Sequence, residues 1–211
     1  EEEAREVAEK VLLTLRDFPA GWSQLPPDED DDDEDMQLNV PPECQAFVNQ
    51  KEWPGTLVDI DSPEFEGPDD EKVDSSGIVY VDAEAARKAF ADAKASIDLC
   101  REPLDTAFAQ YLQETLRAEH PDKNIEIVAL TTDWLSFPPY GDESAAIRMS
   151  YTMNVDTKSF DIYLDSFGWR VGRIEGDLNF STTNAVPDQN EEQRLAQIIV
   201  ERLRKAAEDL D

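Results

Sequence analysis

The hydrophobic pattern of this chain changes its period once, from the spacing of helices to the alternation of strands. Between residues 83 and 116, apolar residues recur at every third or fourth position, which predicts helices with one buried stripe. From residue 125 to residue 181, apolar and polar residues alternate, which predicts strands with one buried face. Short connections between these strands predict an antiparallel meander. The predicted fold class is therefore α+β: an antiparallel β-sheet with several helices against one face.

The same pattern predicts where the helices begin and end. A short helix is expected over residues 4–16, and a long C-terminal helix over residues 188–210 with Asp188 as its N-cap. In the central segment the apolar stripe continues to Cys100, which places this cysteine on the buried side of its helix. Pro103 is expected to end that helix and to begin the next one.

The last part of the meander contains one irregularity. Turns are expected at residues 156–158 and 166–168, and the strand that follows is expected to cover residues 169–181. Within it, the apolar residues change from one parity to the other near Gly172. A bulge at this glycine would reconcile the two halves of the strand.

The two cysteines, Cys44 and Cys100, lie 56 positions apart, and neither belongs to a CxxC motif. The chain has a single histidine, so the usual ligand spacings of a zinc site are missing. A disulfide is the predicted state, and disulfides persist in oxidising compartments. The alternative is a cytosolic protein with two buried, reduced thiols.

The charge of the chain is strongly acidic, with 49 acidic and 19 basic residues and a formal net charge of -30. Such a charge repels nucleic acids and anionic lipid head groups, so neither is expected as a partner. Residues 28–35 are all acidic and predict an exposed, disordered loop. A calcium loop of the EF-hand type is excluded there, because its sixth and twelfth positions would be Asp33 and Asn39. Looser association of this run with calcium or a basic partner stays an alternative.

The sequence has no apolar stretch long enough to cross a membrane. It begins at Glu1 rather than at a methionine, and its first residues form no apolar signal segment. We therefore expect either that a signal or anchor has been removed or that the sequence has been trimmed at this end, and that any membrane association uses a missing N-terminal segment.

A search for catalytic patterns identifies no catalytic residue, metal site or cofactor site. His120 lies at a helix end beside a proline, where a helix cap is the simplest interpretation. The chain contains no GxSxG, GxGxxG or GxxxxGK[ST] motif. The many acidic residues leave a carboxylate-dependent hydrolase as an alternative. That alternative requires two facing acids in a deep pocket with unusual titration.

Binding is the chemistry that the remaining residues favour. Aromatic side chains in or beside loops can line a concave site, and arginines on a polar strand face can hold an anion. The predicted ligand-binding residues are Trp53, Trp134, Phe137, Tyr140, Arg148, Trp169, Arg170 and Arg173. For each of them the alternative is structural, with the tryptophans in the core and the arginines paired with nearby carboxylates.

The order of these features resembles a known family. Residues 17–22 form an aromatic turn, Pro42, Glu43 and Cys44 follow a polar loop, and residues 73–75 lead into a strand. An alanine-rich helix over residues 83–100, the meander and the closing helix complete the order. Over roughly residues 10–210 this layout resembles the extracellular sensor domain of PknH-type bacterial Ser/Thr receptor kinases, which also occurs in actinobacterial exported lipoproteins.

The resemblance implies one exported domain over residues 1–211, built as an antiparallel sheet with helices around a wide ligand cleft. It implies a disulfide from Cys44 to Cys100, whereas the second disulfide of the kinase member has no counterpart here. It carries over no catalytic residue. The predicted function is a non-enzymatic, extracytoplasmic ligand-binding or sensor domain that is secreted or lipid-anchored at the cell envelope. Its expected partner is an unidentified small molecule or a cell-envelope component.

Overall fold

A computed structural model describes residues 2–26, 37–49 and 53–210, which form an eight-stranded antiparallel sheet with helices on both faces. The helices are α1 (Glu2–Val11), α2 (Pro42–Val48), α3 (Ala83–Glu119) and α4 (Gln189–Glu208). The strands are β1 (Ser23–Gln24), β2 (Thr56–Asp61), β3 (Phe65–Glu66), β4 (Lys72–Tyr80), β5 (Ile125–Trp134), β6 (Glu143–Val155), β7 (Lys158–Val171) and β8 (Ile174–Thr183). The predicted α+β class is confirmed, and the acidic run at residues 28–35 lies outside the described residues.

The strand order is β1-β3-β4-β8-β7-β6-β5, and β2 also pairs with β4. Strands β5 to β8 form the expected antiparallel meander, and β4 adds to it by pairing with β8. As a result β4 and β8 lie side by side in the middle of the sheet. The residues of these two strands alternate between its two faces.

Helices α1 and α4 cover one face of the sheet and form the main hydrophobic core with it. Gly77 of β4 and Gly176 of β8 face each other in the sheet register. A Cβ atom on Gly77 would lie 2.7 Å from the carbonyl oxygen of Ala8, and one on Gly176 would lie 2.9 Å from Val11. These glycines therefore let α1 approach the strands closely. The largest fully buried apolar side chains of this core include Trp169, Phe167, Phe65, Leu195, Ile199 and Leu203.

Helix α3 lies on the opposite face, so the prediction that all helices share one face is wrong. Its first turns pack against Ile78 and Tyr80 through Ala86 and Ala89. The helical stripe shows that one side of α3 is buried, but it carries no information on which face of the sheet covers that side. Between these first turns and its second half, α3 passes over the middle of the sheet.

The second half of α3 follows the edge strand β5. Its side chains bond to backbone groups of that strand: Gln113 Oε1 accepts from Ile127 N at 3.1 Å, Asp105 Oδ2 accepts from Thr132 N at 3.0 Å, and Arg117 Nε donates to the carbonyl oxygen of Ile125 at 2.9 Å. These bonds satisfy backbone groups that an open edge strand would leave free to pair with another chain.

Pro103 does not divide α3, which is one continuous helix of 37 residues. A proline inside a helix removes the hydrogen bond to the carbonyl four residues earlier, which here belongs to Leu99. Leu99 is 63% exposed, so water can reach this part of the helix surface and replace the lost donor. The predicted break is therefore wrong.

The irregularity near Gly172 is a turn and not a bulge. Strand β7 continues without interruption to Val171, and Ile174 pairs with Val171 as the first residue of β8. Gly172 has a φ of +60°, which suits a tight turn between two antiparallel strands. The apolar parity changes because the chain passes into the next strand. A register shift is present elsewhere, in β5 between Val128 and Thr131.

The first helix is shorter than predicted. Helix α1 ends at Val11, and residues Leu15–Asp17 form a separate 3₁₀ turn. Among the described helices, none combines the length and the apolar composition that crossing a bilayer requires.

Candidate ligand cleft

The disulfide joins Cys44 of α2 to Cys100 of α3. Both cysteines are buried, with 1% of each residue exposed. The bond holds α2 against the middle of α3, three residues after Ile97. The covalent link therefore supports the helix that forms the roof of the cleft described next.

A cleft of about 240 Å³ lies between α3 and the centre of the sheet. Its roof and one wall are mainly apolar and comprise Phe90, Ala93 and Ile97 of α3, Trp134 of β5 and Ile147 of β6. Its floor is polar and comprises Ser76 of β4, Ser166 of β7, and Glu175, Asp177 and Asn179 of β8. A cavity with an apolar wall and a few converging polar groups is typical of a small-molecule site.

A second hollow of about 330 Å³ adjoins the first one, and Lys94, Trp134, Ala145 and Ala146 line both. Trp134 is held in place because its Nε1 donates a hydrogen bond to Asp98 Oδ1 at 2.8 Å. The indole ring therefore borders both spaces, and α3 and β5 together fix its position.

Hydrogen bonds between side chains of neighbouring strands link the residues of the polar floor. Ser76 Oγ donates to Asp177 Oδ2 at 2.9 Å, and the hydroxyl of Tyr80 donates to Glu175 Oε2 at 3.0 Å. Further bonds lead from Ser166 Oγ to Asn179 Oδ1 at 2.9 Å and from Asn179 Nδ2 to Asp74 Oδ1 at 2.8 Å. Each carboxylate of the floor thus accepts a hydrogen bond from a neutral donor.

The two acids of the floor are protonated more readily than acids in water. Burial, the largest cause, and the nearby charge of Asp177 together raise the pKa of Glu175 to about 8. Burial is also the largest cause for Asp177, and together with the charge of Asp59 it raises the pKa of this acid to about 7. The low-polarity surroundings disfavour the ionised forms, so both groups titrate near neutral pH.

A second buried acidic cluster lies on the opposite face, beneath α4. Arg148 Nε donates to Asp165 Oδ1 at 2.6 Å, and its Nη2 also contacts this carboxylate, whose side chain is fully buried. Burial, the largest cause, and hydrogen bonding with Asp165 together raise the pKa of Glu192 to about 8. Glu192 Oε1 is buried and has no hydrogen-bond partner among the described residues. This arrangement fits a protonated Glu192 beside the Asp165–Arg148 pair.

The structure places only some of the predicted binding residues at the cleft. Trp134 lines it, and Phe137 lines the adjoining hollow. The other aromatic residues belong to packing: Trp169 is fully buried and parallel to Phe167, Tyr140 packs on the main core, and Trp53 packs beside Ile78 and Tyr80.

The three predicted arginines are engaged within the fold. Arg148 holds Asp165, and Arg170 Nε donates to Glu143 Oε2 at 2.7 Å. Arg173 donates to the backbone carbonyl oxygens of Tyr80 and Val81 at 3.4 Å. The structure therefore does not bring the eight predicted residues together in one site.

Glu175 and Asp177 are not among the site residues predicted from the sequence. A signal was present, because Ile174, Leu178 and Phe180 share one parity in β8 and the acids occupy the other. A strand paired on both sides with acids on one face requires a polar environment or a cleft on that face. The identity of the covering element, however, depends on the path of α3.

No group of three or more metal-ligating side chains occurs within residues 2–26, 37–49 and 53–210. The predicted calcium association of residues 28–35 stays a prediction, because this run is outside the described part of the chain.

The buried acids predict that mild acid stabilises the fold. For Glu175, Asp177 and Glu192, the folded-state pKa lies above that of the unfolded chain, so folding takes up protons between these two values. The stabilisation is complete below a pH of about 4 and is lost as the pH rises through about 7 to 8. We expect a higher melting temperature at pH 5.5 than at pH 8.5, by several degrees, in scanning calorimetry.

A pair of variants on α4 tests whether the buried acids cause this pH dependence of stability. Glu192→Gln removes a buried acid and should reduce the pH dependence, whereas Glu201→Gln removes an exposed acid of the same helix and should leave it unchanged. An equal melting temperature at the two pH values would contradict the prediction.

Comparisons with known proteins support the fold. No protein-family model matches the sequence. No curated protein matches it either. Among solved structures, the chain is similar to the crystal structure of the extracellular domain of PknH from Mycobacterium tuberculosis, with a TM-score of 0.50 and 14% identity. The similarity covers 95% of this chain and 96% of that one, so the whole arrangement of sheet and helices resembles that domain.

Proposed function

We propose that this protein is a non-enzymatic, extracytoplasmic ligand-binding or sensor domain of an exported protein anchored at the cell envelope, and that its ligand occupies the cleft beneath α3. The observation that carries this proposal is the cleft itself, with an apolar wall from α3 and a polar floor from the central strands. Its ligand is a small molecule or a small part of a cell-envelope component, because a volume of about 240 Å³ is smaller than that of most ligand pockets.

The location rests on separate observations. A disulfide in the folded chain is typical of proteins of oxidising compartments. The fold is similar to a domain described as extracellular, and a strongly acidic surface favours solubility. The proposal requires that both thiols are oxidised in protein taken from its native setting, which alkylation followed by intact-mass analysis measures.

Filling the cleft tests the binding proposal. Ala93 lines the cleft on α3, whereas Ala95 is exposed on the same helix. We expect Ala93→Phe to abolish binding of any ligand that occupies the cleft, because the new ring takes up the space beside Phe90 and Ile97. Ala95→Phe adds the same ring elsewhere and should leave binding unchanged.

The ligand is found first by a thermal-shift screen of cell-envelope sugars, lipids and peptidoglycan fragments with the unmodified protein. A compound that stabilises this protein and the Ala95→Phe variant, but not the Ala93→Phe variant, supports the cleft as its site. Stabilisation that is equal in all three proteins, or the absence of any stabilising compound, would contradict the proposal.

A second candidate function is a carboxylate-dependent hydrolase, and one observation favours it. Glu175 and Asp177 lie on one face of β8 at the cleft floor, and burial raises the pKa of both. They are alternate residues of one strand, with Cα atoms about 7 Å apart, so both side chains lie on the same face. Turnover of chromogenic aryl glycosides that is lost in Asp177→Asn and in Glu175→Gln would establish this function.

A further inference from the structure

The floor of the cleft holds two acidic side chains that no basic side chain at the floor compensates, and a cation bound beside them would favour their ionised forms. Glu175 and Asp177 each accept a hydrogen bond from a hydroxyl group, of Tyr80 and Ser76 respectively. Across the described residues, neither carboxylate forms an ion pair. The guanidinium of Arg170 acts on Glu175 by its charge, but it is already engaged with Glu143 and Asp142.

The surroundings add to this negative potential. Asp59 lies close enough to raise the pKa of both floor acids by its charge, and Asp74 has the same effect on Asp177. A positive group placed at the floor would therefore interact favourably with several carboxylates in a partly desolvated space, where electrostatic interactions are stronger than in water.

The roof offers a matching surface for the rest of such a ligand. Phe90 and Trp134 present aromatic rings, and Ile97 adds an aliphatic side chain. Aromatic faces attract cations as well as apolar groups. Lys94 shows this property within the chain, since its Nζ lies 5.9 Å from the centre of the Phe90 ring.

Resting on the proposed function, we infer that the cleft selects an organic cation: an ammonium or guanidinium group joined to a small apolar body. The positive group lies at Asp177 and Glu175, and the apolar body lies against Phe90, Ile97 and Trp134. Among the described residues, Lys94 is the basic side chain that lines the cleft. Its charge repels a cationic ligand and would favour an anionic one.

Three probes with the same ring and different charges test the inference. They are 2-phenylethylamine, the neutral 2-phenylethanol and the anionic 3-phenylpropionate. We measure their binding to the whole chain by chemical-shift titration at pH 8.5, where both floor acids are largely ionised and the amine is still protonated. We expect the amine to bind at least tenfold more tightly than the alcohol, and the alcohol to bind more tightly than the acid.

Charge variants show whether amine binding depends on the charge of the floor acids or only on packing in the cleft. Asp177→Asn and Glu175→Gln keep a hydrogen-bond acceptor for Ser76 and Tyr80 and remove the charge, so both variants should fold. Each should weaken binding of the amine about tenfold. Lys94→Gln should increase the affinity for the amine and decrease the affinity for 3-phenylpropionate. Thermal denaturation of each variant confirms that it is folded.

The outcomes distinguish this inference from the proposed function. If the alcohol or the acid binds as tightly as the amine, and Ala93→Phe abolishes this binding, the cleft is a ligand site but the cation preference is wrong. If amine binding does not change in Asp177→Asn and Glu175→Gln, the inference is also overturned. If none of the probes shifts resonances of cleft residues, the inference fails, and the envelope-compound screen separately decides the proposed function.

Discussion

Replacing Cys44 and Cys100 together by alanine is expected to lower the free energy of unfolding by about 4 kcal/mol, because the disulfide closes a loop of 56 residues in the unfolded chain. For a protein of this length, such a loss corresponds to a melting temperature lower by about 10 °C. Both cysteines are buried, so the substitution also removes packing between α2 and α3. Urea denaturation of the variant and of the unmodified protein measures the difference.

Reduction of the unmodified protein provides the matched control, since it removes the bond and keeps both side chains. Reduced protein and double variant should show similar losses if the link itself stabilises the fold. Hydrogen exchange in α2 adds a second measurement, because this short helix should lose protection first when it is no longer tied to α3. An unchanged denaturation midpoint in both proteins would show that the disulfide does not stabilise this fold.

The parts of the fold that the sequence predicts well are those with a regular period. The alternation in β6 and the stripe on α4 identify their elements because burial on one side imposes the pattern. Pro103 and Gly172 misled the prediction for different reasons. A proline is tolerated inside a helix where water can reach the freed carbonyl, and a parity change is produced by a turn as well as by a bulge.

The cleft was harder to predict because it depends on three-dimensional arrangement. Its floor comes from β4, β7 and β8 and its roof from α3, and nothing in the local sequence shows that α3 crosses the face opposite to α4. The predicted residues were chosen as aromatics near loops and as arginines on a strand, and such residues also serve packing. Trp134 lies at the cleft and Trp169 in the core, although both were predicted as binding residues because they are aromatic residues near loops.

Replacing Arg148 by methionine is expected to lower the free energy of unfolding by about 3 kcal/mol, because removal of one partner leaves the other charge of a buried pair uncompensated. The side chain of Asp165 is fully buried, and the neighbouring Glu192 supplies no positive charge to replace the guanidinium. The variant Arg204→Met, at an exposed position of α4, controls for loss of charge at the surface and should change stability little.

The double variant Arg148→Met with Asp165→Leu should recover much of this loss, because no buried charge is then left without a partner. Ligand binding gives a second measurement of the same substitution. Arg148 lies on the α4 face of the sheet, as its pairing with Asp165 shows, whereas the cleft lies on the α3 face. Arg148→Met should therefore destabilise the protein and leave the affinity for a cleft ligand unchanged. Loss of that affinity with full stability would instead make Arg148 a binding residue, and the ligand would then have to reach the opposite face of the sheet.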